Sequence, residues 1–323
     1  MQTTARWLRM VALVGIGAAA LAGCASRIQA AAPAPGVSST ACGTVTIAVN
    51  PWVGYEANVA VMSYLAKQRL GCTVVEKELT EENSWKGLAD GSVDVILEVW
   101  GHDDLRKKYI DQEKVVVEHG VTGNKGVIGW YVPPWLAKTY PDITNWRNLN
   151  KYAHLFRTGK SGEKGQLLAG DPSYVTNDEA LVRNLKLDYK VVFAGSEEAL
   201  ILAFRQAEQR KTPLIGYFYT PQWFMSEVEL VHVDLPTYTP GCDADPKTVA
   251  CDYQPYDLDK VVSKKFALSG SPAAMLIKNF QWTNADQNTV ARYITVDKLS
   301  RDEAAKKWLD ANPRVWQSWV PTE

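Results

Sequence analysis

The chain has 323 residues, enough for one large domain or two of ordinary size. Hydrophobic residues make up 46% and charged residues 22%, a balance usual for a soluble globular protein. The formal net charge is −1, and no basic stripe or basic–aromatic alternation occurs. This argues against a polyanion-binding surface and against nucleic acid as a partner.

Arg6 and Arg9 form a basic start, and Met10–Ala22 is an apolar run of small residues. That run is shorter than the ~20 residues a membrane span needs, and its flanks are those of a signal peptide. The following Leu21-Ala22-Gly23-Cys24 looks like a bacterial lipobox, which implies cleavage before Cys24 and acylation of its thiol. An ordinary signal peptide cut at another small residue is the alternative. Residues 1–23 therefore read as a lipoprotein signal and 24–42 as a flexible tether rich in Ala, Ser, Pro and Gly.

Thr44–Val49 reads as the first strand, Ala57–Leu70 as a helix and Cys72–Glu78 as the second strand. A polar segment with Trp85 and Leu88 leads to a third strand at Val93–Val99. This β-α-β-α-β order predicts a parallel sheet. If the first two strands are parallel neighbours, Cys42 and Cys72 lie at the same sheet edge, where a disulfide is geometrically natural. A new strand is expected at Gly126–Val132, ended by Pro133-Pro134. A second α/β unit follows, with strands at 167–170, 190–194 and 213–219 and helices from about Asp178 and over Ser196–Gln209. Leu230–Leu235 reads as another strand, and the remainder as largely helical. Cys242 and Cys251 bracket a loop rich in Asp and Pro, so local pairing is the simplest arrangement. No Cys-x-x-Cys or His-x-x-x-His spacing supports a metal site, and two disulfides indicate an oxidising compartment.

The expected fold class is α/β with two lobes, each a sheet flanked by helices, and a hinge crossed twice near 128–132 and 230–236. Lobe one would comprise 43–129 and 236–323, and lobe two 130–235. A single large sheet would produce a similar periodicity.

Aromatic residues follow several of these strands. Asn50-Pro51-Trp52-Val53-Gly54-Tyr55 follows the first, Trp100-Gly101-His102-Asp103-Asp104 the third, and Tyr217-Phe218-Tyr219-Thr220-Pro221 a later one. In open α/β sheets ligands bind beyond the carboxyl ends of strands, and Trp and Tyr faces recognise quaternary ammonium cations. Tyr174 lies in the turn Asp171–Asp178, before a helix whose free N–H groups suit an anion. A methylated cationic head with a carboxylate tail would suit both features. With 12 Trp and 14 Tyr, many rings must be core, and Trp85, Trp135, Trp146, Trp282, Trp308, Trp316 and Trp319 read that way. Asp103 and Asp104 read as caps of the next helix, with His102 a separate candidate near the ligand. No nucleophile elbow, P-loop or His-Glu-x-x-His occurs, so neither catalytic residues nor a cofactor are expected. The rival enzyme reading would use Glu98, Asp103 or Asp104 as acid–base groups.

Together, Asn-Pro-Trp52-Val-Gly-Tyr55-Glu-Ala, Leu-Glu-Val-Trp100, Gly-Asp-Pro-Ser-Tyr174 and Tyr-Phe-Tyr219-Thr-Pro-Gln-Trp223 resemble the glycine betaine/proline betaine/choline substrate-binding proteins of ABC transporters, from about residue 43 to 320. The resemblance implies a two-lobed periplasmic-binding (type II) architecture with an aromatic ligand box drawn from both lobes. It implies a ligand set of Trp52, Tyr55, Trp100, His102, Tyr131, Tyr174 and Tyr219, with Val175 and Thr176 offering backbone N–H groups and Asn177 a further polar contact. It also implies a monomeric, lipid-anchored receptor that delivers its solute to a membrane permease. The departures are Tyr at 174 and 219 and Asp at 104, where some members carry Trp and His. An acid near the box favours choline over betaine, and another small solute, an amino acid or an aromatic compound, is the runner-up.

Overall fold

The computed structural model describes residues 42–174 and 176–322. The signal segment 1–23, Cys24 and the tether up to residue 41 lie outside the described residues, as does Val175.

The chain opens with β1 (Thr44–Val49), α1 (Val53–Leu70), β2 (Thr73–Glu78), α2 (Glu81–Asp90) and β3 (Val95–Val99). β1 pairs in parallel with both β2 and β3, as the alternating order predicts. α1 is buried on nearly every side, from Val53 to Ala66 save Glu56 and Tyr64. Such a helix has no polar face because it is covered twice, by the sheet and by the helices Asn284–Thr295 and Arg301–Ala311. It stops at Gly71, whose φ of 66° closes the last turn on Ala66 O. α2 starts at Thr80, whose hydroxyl accepts the Asn83 N–H.

After the short helix α3 (Asp103–Arg106) comes β4 (Val116–Val132), a strand of 17 residues. β5 (Gly165–Ala169), β6 (Tyr189–Phe193), β7 (Gly216–Thr220), β8 (Val231–His232) and β9 (Tyr256–Ser263) complete the strands among the described residues. The order is β2-β1-β3-β9-β4-β7-β5-β6, with β8 on β4. β4 joins the two halves of this arrangement. Its residues 116–126 pair antiparallel with β9, and 127–131 pair antiparallel with β7.

β9 corrects the expectation that the C-terminal part is largely helical. It lies between β3 and β4, in the middle of the sheet rather than at an edge. Its sequence, Tyr-Asp-Leu-Asp-Lys-Val-Val-Ser, hides this because Lys260 reads as a surface residue. Lys260 is fully buried, and its ammonium donates to the carbonyls of Lys278 and Phe280. The acidic pair is a second correction. Asp103 and Asp104 occupy the first turn of α3, whereas His102 holds the cap position in a left-handed conformation without a side-chain cap bond. Their charges there still complement the helix dipole.

Both expected disulfides are formed, Cys42–Cys72 with Cα atoms 4.9 Å apart and Cys242–Cys251 at 6.3 Å. The second closes a loop that packs Val249 and Cys251 on Ala180. Of the tryptophans expected in the core, Trp85, Trp282, Trp308, Trp316 and Trp319 are buried. Trp282, Trp308 and Trp319 form one cluster with Phe280. No helix among the described residues is long and apolar enough to cross a membrane.

Candidate functional site

Beyond the ends of β1, β3 and β7 lies a cavity lined by Trp52, Glu81, Trp100, His102, Ile128, Tyr174, Tyr217 and Tyr219. The rings reach it from separate elements. Trp52 stands in extended backbone immediately before α1. Trp100 directly follows β3. Tyr217 and Tyr219 are two residues apart on β7, hence on one face of the strand, with centroids 6.0 Å apart. Tyr174 is set by a tight turn in which Asp171 accepts the Ser173 N–H at 2.7 Å and the Ser173 hydroxyl at 2.6 Å. Two pairs meet edge to face, Trp52 with Tyr174 at 5.9 Å and 87° and Trp100 with Tyr219 at 5.7 Å and 82°, while Tyr217 is tilted against both Tyr174 and Tyr219.

Two buried carboxylates hold these rings. Glu98 Oε1 accepts the indole N–H of both Trp52 and Trp100, each at 2.8 Å. Its other oxygen accepts amide N–H groups from Asn58 and, at 2.8 Å, from Gln287. Glu197, at the start of the helix Glu197–Arg210, accepts the Val53 N–H at 2.8 Å, the Gln222 amide at 2.7 Å and the Tyr219 hydroxyl. Tyr174 donates its hydroxyl to Pro51 O at 3.0 Å, so both Tyr174 and Glu197 tie the middle of the chain to the segment beside Trp52. Burial pushes the Glu197 carboxyl up to about 7, although its three donors pull the other way. Burial likewise raises Glu98, against its four donors. The phenols of Tyr174, Tyr217 and Tyr219 are held well above their ordinary value, first by burial and then by nearby carboxylates, so they remain protonated.

The charged part of the lining is one pair. His102 Nε2 lies 2.7 Å from Glu81 Oε1, with both side chains nearly buried. Burial is the largest influence on His102 and lowers it, but the hydrogen bond and charge of Glu81 outweigh it, and the imidazole ends above its ordinary value. No Lys or Arg is among the described residues lining the cavity. The described residues hold no cluster of three or more His, Cys, Asp or Glu suited to a metal.

Of the residues singled out from the sequence, Trp52, Trp100, His102, Tyr174 and Tyr219 meet at this cavity. Tyr55 lies behind Trp52, edge to face at 5.4 Å, and its hydroxyl accepts the Leu97 N–H. Tyr131 packs against Phe218 and His232 instead. Thr176 and Asn177 are not in the lining; the Asn177 N–H donates to the Tyr253 hydroxyl at 2.9 Å. Asn177 borders a neighbouring cavity that also touches Trp100 and His102. Glu81, Ile128 and Tyr217 escaped the sequence reading. Tyr217 was accessible through the strand period, since it shares the face of Tyr219. Glu81 looks like any acid in a first helical turn, and Ile128 like any strand residue.

The profile of the family described as the substrate binding domain of ABC-type glycine betaine transport system matches residues 43–311. The chain belongs to this family. It is 30% identical over 192 residues to a trimethylamine N-oxide-binding protein of Pelagibacter ubique, covering 57% of this chain and 61% of that protein. It is 27% identical over 126 residues to the glycine betaine/carnitine transport binding protein GbuC of Listeria monocytogenes, covering 39% of this chain and 38% of that protein. The matched stretch thus spans less than two thirds of each of these relatives. Among solved structures, lactococcal OpuAC in its closed conformation with glycine betaine superposes with a TM-score of 0.69 at 20% identity, covering 86% of this chain and 100% of that one. An ABC-transporter choline binding protein in complex with choline gives 0.69 at 17% identity, covering 87% and 94%. At these identities the likeness establishes the shared fold, a mixed α/β sheet flanked by helices.

Proposed function

We propose that this protein is the extracytoplasmic receptor of an ABC importer, capturing a small solute with a methylated cationic nitrogen and passing it unchanged to a membrane permease. The observation that carries this reading is the set of five rings, Trp52, Trp100, Tyr174, Tyr217 and Tyr219, around a cavity whose acid is Glu81 and which no Lys or Arg among the described residues lines. Ring faces attract a quaternary ammonium group, each contact contributing roughly 0.5–2 kcal/mol once water is excluded. Four or five of them supply much of the ~8 kcal/mol behind micromolar binding.

Glu81 repels a carboxylate and accepts a hydrogen bond, and His102 beside it can donate one. The preferred ligand is therefore a cation with a hydroxyl group, such as choline, ahead of glycine betaine and proline betaine. Trimethylamine N-oxide, neutral overall and with no proton to give Glu81, would be held through its oxygen by His102. An amino acid would bring its carboxylate against Glu81, and the one group in the described lining that can carry positive charge, His102, is already paired with that acid. In this reading lobe one is 43–129 with 236–323 and lobe two is 130–235. The bonds from Tyr174 to Pro51 and from Glu197 to Val53 then cross the cleft and hold it closed. The two disulfides support an oxidising location, and Cys24 is the proposed lipid anchor of a monomeric receptor.

Isothermal titration of the purified protein against choline, trimethylamine N-oxide, glycine betaine, proline betaine and carnitine tests the reading. At least one should bind in the micromolar range and be recovered chemically unchanged. Failure of a folded sample to bind any of them refutes the proposal, and a turnover product restores the enzyme alternative.

A further inference from the structure

Glu98 is fully buried, lines no part of the cavity, and has hydrogen-bond donors as its only polar contacts. Two of them are the indole N–H groups of Trp52 and Trp100, which share the single atom Oε1. An indole N–H donates and cannot accept, so Oε1 has no partner for a proton of its own. The remaining donors, Asn58 and Gln287, are neutral amides, so no protein cation neutralises this carboxylate by direct contact. A buried charge without a protein counter-ion is costly unless something else completes it. The two groups it touches most directly are ring walls of the ligand cavity.

Resting on the proposed capture of a methylated cation, we infer that Glu98 is the ligand's buried counter-ion, acting through the indoles of Trp52 and Trp100 as a positioning and charge-selecting residue. A carboxylate drawing on the N–H edge of an indole makes the ring's π face more negative, which strengthens its attraction for a cation. The low-polarity interior carries the carboxylate's own field to the cavity with little screening. One buried acid thereby orients two rings and sets their preference for positive charge, without occupying ligand space. Glu81 acts differently, because it lines the cavity and addresses the polar end of the ligand.

The test compares choline with the neutral dimethylbutanol in which a tert-butyl group replaces the trimethylammonium head. Both are titrated into the wild-type protein, E98Q and E98D, with circular dichroism as the check of folding. Glu98→Gln should weaken choline about tenfold, the scale of one strong cation–π contact. Binding of the neutral alcohol should stay within about threefold, since the cavity keeps its shape. Glu98→Asp, which keeps the charge, should retain the wild-type preference for choline even where both affinities fall. An equal loss of both ligands in E98Q, or no loss of either, overturns the inference. Should E98Q fail to fold, E98D decides: a preserved preference supports the counter-ion and its collapse overturns it. Wild-type protein that binds no cation at all refutes the proposed function itself, a result separate from any change in the variants.

Discussion

Glu197 offers a quantitative prediction about pH. Its side chain is 3% exposed and its carboxylate joins the Val53 backbone to Tyr219 and Gln222. Burial raises the group from 4.5 in the free side chain to about 7 in the folded protein. Between those values the folded state retains a proton that the unfolded chain has released. Protonated carboxyl therefore favours folding, so this contribution is fully present below pH 4.5 and is lost as pH rises towards 7. Each pH unit in that window is worth at most ~1.4 kcal/mol, so the group removes about 3 kcal/mol of stability across it and nothing further above. Glu197→Gln abolishes this titration. Urea unfolding of the ligand-free protein at a series of pH values from 4.5 to 8 should show the wild type losing about 3 kcal/mol more than E197Q. Parallel curves for the two proteins would refute the reasoning. So would a wild type that gains stability relative to E197Q as pH rises.

Trp100→Ala removes a cavity wall and one of the two indole donors at Glu98 Oε1, so cation affinity in a calorimetric titration should fall by about 30-fold or more. Unchanged affinity would move the ligand site elsewhere. Gly126→Ala should act on the same ring from behind, because its Cβ would stand 2.6 Å from Trp100 Cζ3 and 3.0 Å from Leu258 Cδ2. Overpacking of this kind costs roughly 1–3 kcal/mol of stability, read by urea unfolding, and choline binding should weaken as Trp100 shifts towards the cavity. Removing Cys42–Cys72, which spans 30 residues, should destabilise by about 3.6 kcal/mol, against about 2.6 kcal/mol for Cys242–Cys251, which spans 9. Thermal or urea unfolding of the two double Cys→Ser variants checks that order.

The family, the fold class, the first three strands and five of the cavity residues were legible because each depends on a short stretch of chain. Apolar periods mark Thr44–Val49 and α1, and an aromatic placed just after a strand must emerge at its carboxyl end, as Trp52 and Trp100 do. The pairing of Cys42 with Cys72 followed from neighbouring parallel strands. What tertiary structure alone decided is how charged groups are spent. Lys260 could be placed in a central strand only because two carbonyls from a distant segment receive its ammonium. The Asn177 N–H, suited to an anion in isolation, is taken by Tyr253, 76 residues away. Glu81 and His102 form their pair across 21 residues of chain, and Glu98 reaches Trp52 across 46. A local pattern records which face of an element is apolar. It does not record which distant donor or acceptor completes a buried polar group, and in this cavity those completions determine charge, ring orientation and ligand preference.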